Sequence, residues 1–459
     1  MKQPTAALPV VLLLVFATPL TAQVRFQKTY GGVELDYGFD ILQTDDGGYI
    51  VAGETKNYGA GDLDAWLVRT DSLGDTLWTR THGTAAPEAA CALSAIPSGG
   101  WYVAGYGAGA GGYSDVWVLK VDANGDTVWT RMLQGQYNDY AWSVATTGDG
   151  GCIVAGQTES YGAGYVDAWL IKFEADGDTA WTKTHGAPDK WDIFYSVAQA
   201  PDGGYILGGA NYPAGGREDA WLLKTDAAGG EVWSHTYSGA SGAYEDFREV
   251  INVPGGGFAA CGSWGGKVSL ARIDASGDTA WTRQYSGNSQ LGYGMARCSD
   301  DGFVLVGSAV QDAWLIRTDT DGDTVWTRRY GGSLPDDGRS VIQAADGGYV
   351  LTGFTRSFGA GWFDLWIIKT DPNGSMAIAE PGPAVFSPVP VATIGRGALH
   401  LPEDAGSGLV LLDVSGRRVA GLRPGENDLH SLAPGIYFVR PRGDGALPSS
   451  CPGRLLLTR

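Results

Sequence analysis

Cysteine and histidine are scarce: five of each in 459 residues. Cys91, Cys152, Cys261, Cys298 and Cys451 share no repeat position and no metal-ligand spacing, and an odd number cannot all pair internally, so buried free thiols are expected. The histidines are no better placed for chemistry. His82, His185 and His235 fall at or beside equivalent positions of separate repeats, too far apart for a Ser-His-Asp set or a zinc site. Basic residues are also short, 32 against 51 acidic ones, and the net charge of −19 argues against nucleic acid or an anionic membrane as partner. Long apolar runs are missing except from Ala6 to Leu20, which follows Lys2 and precedes Thr21-Ala22-Gln23. This run is short for a lasting membrane span and reads as a signal peptide over residues 1–22, so the mature protein is expected to be secreted or on the cell surface.

What the chain has in abundance is glycine and aromatic residues, 71 Gly, 17 Trp and 21 Tyr, and they recur in phase. One anchor falls at Tyr49, Trp101, Cys152, Tyr205, Phe258, Phe303 and Tyr349, a step averaging about 50 residues and a period characteristic of stacked units. A second falls at Trp66, Trp117, Trp169, Trp221, Ser269, Trp314 and Trp366. A third, Trp78, Trp129, Trp181, Trp233, Trp281 and Trp326, stops one copy early. The missing copy stands at the front, where Phe26-Gln27-Lys28-Thr29-Tyr30-Gly31 matches Trp326-Thr327-Arg328-Arg329-Tyr330-Gly331.

Each repeat holds four short strands, in the first copy Gly38 to Gln43, Tyr49 to Glu54, Ala65 to Thr70 and Thr76 to Thr81. Asp46-Gly47-Gly48 and Asp71-Ser72-Leu73-Gly74 are tight turns with Gly at positive φ. Four-stranded units whose last member borrows its outer strand from the N-terminus predict an all-β chain with a seven-bladed propeller over 23–375. A linear stack would need no borrowed strand and would leave open edges.

Asp64, Asp115, Asp167, Asp219, Asp312 and Asp364 each precede the second anchor by two, and Lys267 breaks the series. Six acids in equivalent places could hold Ca²⁺ through oxygen ligands. The stronger account is that each accepts hydrogen bonds from its own loop. Asp319-Thr320-Asp321-Gly322-Asp323 opens like a calcium loop but lacks the Glu at its twelfth position. No other cofactor is expected.

In a propeller the loops after the second strand share a face with the loops joining blades. The first set carries Tyr58, Tyr161, Tyr212, Trp264 and Phe358. The second carries Glu34, Asp36, Glu88, Asp139, Asp192, Glu245, Asp246, Asp336 and Asp337. Rings beside carboxylates make this face the candidate surface for a glycan or peptide, with Tyr58, Tyr161, Tyr212, Trp264, Phe358, Glu34, Asp36, Asp139, Asp192 and Asp336 as its contacts. The competing reading is that each aromatic-Gly pair staples its loop to its blade. An enzyme should instead break the sevenfold regularity with one deep pocket holding two acids outside the repeat.

Beyond Gly374 the repeat gives way to a Pro-rich linker over 376–388 and a second unit over 389–459. Strands are expected over 408–414, 417–422, 432–440 and 453–459, a spacing that suits a small immunoglobulin-like β-sandwich. The turn Asp413 to Arg417 with Gly416, the stretch Leu432 to Phe438 with Gly435 and Tyr437, and Arg454 opening the last strand resemble the C-terminal sorting domain of proteins exported by the type IX secretion system. That resemblance implies recognition of the tail by an outer-membrane translocon. The repeats themselves are similar to propeller repeats found ahead of such tails, some of which carry endoglucanase-like names. The expected function is therefore an exported, non-catalytic binding or scaffold module. The alternative is a carbohydrate-active hydrolase.

Overall fold

In the computed structural model, the described residues are 24–376 apart from 110, 189, 213–217, 239–244 and 287–289, together with 391–394, 398–401, 409–412, 418–429, 431–432, 435–441 and 454–457. The expected signal peptide, nearly all of the linker, Asp413, Gly416, Arg417 and Cys451 lie outside them. The chain divides into two compact units near residue 377.

The first unit is a seven-bladed β-propeller of antiparallel four-stranded sheets. Blade 1 comprises Asp36–Gln43, Tyr49–Thr55, Asp64–Thr70 and Thr76–His82, from the axis outward. Blade 7 comprises Asp336–Gln343, Tyr349–Thr355 and Asp364–Lys369, and its outermost strand is Phe26–Tyr30. There Phe26 pairs with Lys369, Thr29 with Trp366 and Tyr30 with Leu365. The ring closes as the sequence predicts.

Packing at the closure copies packing elsewhere. Each outer-strand Trp lies on the positive-φ Gly that ends the next blade's outer hairpin: an added Cβ would meet the Trp78 ring at 2.6 Å from Gly125 and the Trp281 ring at 2.6 Å from Gly322. At the closure Phe26 takes the Trp position, 2.6 Å from an added Cβ at Gly74. Tyr30 donates its hydroxyl to the Gly74 carbonyl at 2.6 Å, as Tyr330 does to Gly374 at 2.7 Å. Only glycine gives both the left-handed backbone and the room for a ring at this spot.

The third-strand Trp residues face the preceding blade. Trp66 packs with Val350, Leu365 and Ile367 of blade 7, and Trp169 with Val116 and Val118 of blade 2. At the junction of blades 4 and 5, where Ser269 replaces this Trp, Phe247 enters the core and Tyr237 meets it edge-on at 5.5 Å. Rings from both blades thus fill the space that the missing Trp leaves.

The second unit is described only in part. Val391–Ile394, Arg454–Leu457, Gly435–Pro441, Leu409–Leu412 and Arg418–Leu422 form one sheet, in that order, and Ala398–Leu401 pairs with Gly425–Asp428. Leu399, Leu401, Leu409, Leu411, Leu422 and Val439 share one apolar core. Strands lie where the sequence placed four of them. The strands Val391–Ile394, Ala398–Leu401 and Gly425–Asp428 add to that expectation.

Candidate functional site

The two loop sets do share a face: Tyr58 donates its hydroxyl to the Gly31 carbonyl at 3.1 Å, and Tyr161 donates to Gln134 at 2.6 Å. Tyr58, Tyr161 and Phe358 rest on the third-strand Trp66, Trp169 and Trp366 of their own blades, with centroids 5.6, 5.1 and 5.7 Å apart. These rings staple loops to blades. Tyr212 donates to Glu218, and Trp264 packs edge-on to Tyr237. More exposed on this face are rings the sequence reading passed over, Trp362 at 67% and Tyr165 at 66%.

Apart from Glu34, the acidic residues of the blade-joining loops are buried. Asp36, Asp139, Asp192 and Asp336 are buried, so a ligand on this face would not touch their carboxylates. Asp336 accepts from the Thr355 hydroxyl at 2.5 Å and from the backbone N–H groups of Gly332 and Ser357 at 2.8 and 3.2 Å. Asp139 accepts from Thr158 at 2.5 Å and Glu159 N–H at 3.1 Å, while Asp36 accepts from Gly32 N–H at 2.9 Å and Asn57 Nδ2 at 2.6 Å. Burial, with Asp167 nearby, pushes Asp192 up to about 6 despite the Ala187 N–H it accepts. Glu34 is exposed, above the Gly361 backbone. The third-strand acids also serve their own loops: Asp64 accepts from Ala60 and Gly61, Asp167 from Gly164 and Asp364 from Gly361. Among the described residues no three His, Cys, Asp or Glu side chains form a metal-ligating group.

Regularity fails on the axis. All seven innermost strands carry a bulge between their third and fifth positions, counted from Asp36 as the first. A bulge adds a residue and re-aims its side chain. The bulged fourth positions are Phe39, Cys91, Trp142, Tyr195, Arg248, Tyr293 and Arg339, with no residue type shared by more than two. Together with the following positions they line a cavity of about 520 Å³ that takes in the fourth to eighth positions and none of the first three.

Five of the seven fifth positions, all but Ala92 and Gly294, hydrogen-bond from one inner strand to the next. Ser143 accepts the Val197 N–H at 3.2 Å, and Ser196 accepts the Val250 N–H at 3.0 Å, each reaching the next blade. Asp40 does this for blade 2 by accepting Leu93 N–H at 2.8 Å, and it also accepts from the Ser340 hydroxyl of blade 7 at 2.8 Å. Glu249, the other acid of this ring, accepts from Ser196 at 3.3 Å, and burial, with Asp40 nearby, pushes it up to about 8. It therefore carries a proton near neutral pH.

The cavity has two unlike walls. Blades 5 and 7 contribute Arg248 and Arg339, whose guanidinium groups lie 3.8 and 4.0 Å from the ring centroids of Tyr195 and Tyr293. Asp246 holds Arg248 through Nε at 2.6 Å, and Asp337 holds Arg339 through a terminal nitrogen at 3.1 Å. Arg339 Nε is buried with no partner. Blades 2 and 3 contribute Cys91, Ala92, Leu93, Trp142, Ser143 and Val144, none of them charged. Trp142 lies parallel to Tyr140 at 5.5 Å and donates its indole N–H to Gln157 at 3.1 Å. The lining is mixed, apolar toward blades 2 and 3 and charged toward blades 5 and 7, so that convergent polar groups face an apolar wall across one cavity.

No family model matches the chain, and no curated protein matches it. Among solved structures it is similar to virginiamycin B lyase from Staphylococcus aureus, at 10% identity over 75% of this chain and 99% of that one, with a TM-score of 0.48. It is also similar to YCF48 bound to D1 peptide, at 10% identity over 78% and 98%, TM-score 0.46. A protein from Lactobacillus plantarum aligns at 15% identity over 71% and 97%, TM-score 0.46. Likenesses this distant carry nothing about ligand or chemistry.

Proposed function

We propose that this chain is an exported, non-catalytic binding module whose ring offers a ligand site on its axis and whose tail addresses it to an outer-membrane secretion translocon. The protein then acts at the cell surface or outside the cell. One observation carries the binding part: side chains that do not follow the repeat gather where seven innermost strands converge. Architecture favours repetition, so a break in it at a cavity favours a ligand. For export, the support is the apolar run of residues 1–22 and the sorting-domain resemblance. The strands Leu409–Leu412, Arg418–Leu422, Gly435–Pro441 and Arg454–Leu457 agree with it in position.

Deleting residues 389–459 in the native host should strand the protein in the periplasm; unchanged arrival at the surface would refute the export reading. Screening the mature chain on glycan and peptide arrays tests binding, and silence on both would count against it. The hydrolase alternative has one observation in its favour, the presence of Asp40 and Glu249, two acids outside the repeat, in one cavity. Asp40, however, has both oxygens committed to Ile41, Leu93 and Ser340. Sugar release from cellulose, xylan or other β-glucans that disappears in Glu249→Gln would install the hydrolase reading.

A further inference from the structure

The geometry points to a ligand class for the axial cavity: a small ring compound bearing a carboxylate, either an acidic sugar or an aromatic acid. This inference rests on the binding-module reading and specifies its site. A carboxylate needs convergent donors held in place before it arrives. Arg248 and Arg339 stack on Tyr195 and Tyr293 at 3.8 and 4.0 Å, so their planes are fixed and little freedom is lost on binding. Each is also anchored from behind by one aspartate, Asp246 or Asp337, which leaves part of its donor fork over. The Nε of Arg339 has no partner and is closed off from solvent, so a ligand would meet the terminal nitrogens of the fork.

The opposite wall suits the ring of such a ligand. Trp142 is held by the Gln157 amide oxygen and the Tyr140 ring, and it shares the cavity lining with Cys91, Leu93 and Val144. A flat apolar or sugar face can stack there without reorganising the site. The cavity of about 520 Å³ has room for one or two rings. Of the acids beside it, Asp40 accepts three hydrogen bonds, Asp246 and Asp337 face the arginines, and Glu249 is held protonated near neutrality by burial. Glu249 is then a donor and not a repelling charge. Arg297, at the eighth position, is engaged with Asp301 at 2.6 Å.

The test uses the mature chain, intrinsic tryptophan fluorescence and calorimetry, with glucuronate and 2-naphthoate as probes and glucose and 2-naphthamide as their uncharged counterparts. At least one carboxylate should bind, and its neutral counterpart should bind about tenfold or more weakly. Glucuronate alone would identify the acidic sugar, and naphthoate alone the aromatic acid. Arg339→Gln and Arg248→Gln should each weaken binding about tenfold or more, with thermal melting used to verify folding. Arg339→Lys keeps the charge and should recover part of the loss. Trp191→Ala, on the loop face, should change nothing. Equal binding of acid and neutral partner, full affinity in both glutamine variants, or no carboxylate bound at all would each overturn the inference. An array ligand lost in Trp191→Ala would leave the binding module standing while moving its site to the loops.

Discussion

Removing residues 24–31 should open the ring without erasing the blades. The closing strand aligns five residues, Phe26 to Tyr30, against Lys369 to Leu365. At about 1 kcal/mol net per hydrogen bond that ladder contributes roughly 5 kcal/mol. Phe26 and Tyr30 are half-buried and add about 1–2 kcal/mol each. The ion pairs Arg25–Asp371 and Lys28–Asp75, at 3.0 and 2.5 Å, lie near the surface and contribute little. A loss of about 8 kcal/mol, set against an unfolding entropy of about 0.7 kcal/mol/K for a ring of this size, lowers Tm by about 10 °C. Calorimetry of the truncated chain reads this directly. A synthetic peptide spanning 24–31 should restore part of the loss in proportion to its concentration, because it binds only the folded ring. A truncated chain melting within about 2 °C of the full one, or rescue by a scrambled peptide, would refute circular closure as a source of stability.

Three further outcomes follow from the packing. Glu54 is buried, one of its oxygens lacks a partner, and burial alone pushes it up to about 7. The folded state thus holds a proton that the unfolded chain releases, so this group's contribution to stability falls as pH rises from about 4.5 to 7 and is level above; Glu54→Gln should flatten that slope and raise stability at pH 8 by up to about 3 kcal/mol in urea titrations. Gly125→Ala should cost more than Gly203→Ala in the same assay, by about 1 kcal/mol or more, since both need positive φ but only at Gly125 would a Cβ strike Trp78. Chelator should leave Tm unchanged, because Asp64, Asp167 and Asp364 already accept N–H groups of their own loops; a fall in Tm with EDTA would revive the calcium ring.

The repeat was legible because its anchors do the same physical job in every blade. A Trp on a third strand always fills a junction, and the outer-hairpin glycine, Gly74 and its copies, takes a left-handed backbone in every blade, so the same residue types return in phase. Phe26 and Tyr30 could be matched to Trp326 and Tyr330 for that reason. The axis could not be read this way. Its fourth positions differ from blade to blade, and the bulge beside each one breaks the in-out alternation that would have assigned Arg248, Arg339 and Trp142 to the channel. The loop acids misled in the opposite sense. Asp139 and Asp336 look like surface charge, yet short loops wrap their N–H groups and a threonine hydroxyl around each carboxylate and draw it inside. A signal was there in the Thr158 and Thr355 that follow them by 19 residues.

The bond between Asp40 and Ser340 joins residues 300 positions apart, and the strand that seals the circle is among the first segments of the ring to be made. A growing chain must therefore carry that ribbon unpaired until its partner, Asp364–Lys369, has been synthesised. During that wait blade 1 has no neighbour on one flank, and late-forming contacts between distant segments are slow to find. Folding should accordingly show an early phase in which blades form in sequence, followed by a slow locking step. Shuffling the gene so that synthesis begins at the first residue of blade 1 and ends with the sealing ribbon joined behind Lys369 would turn that distant search into a local hairpin and shorten the last step.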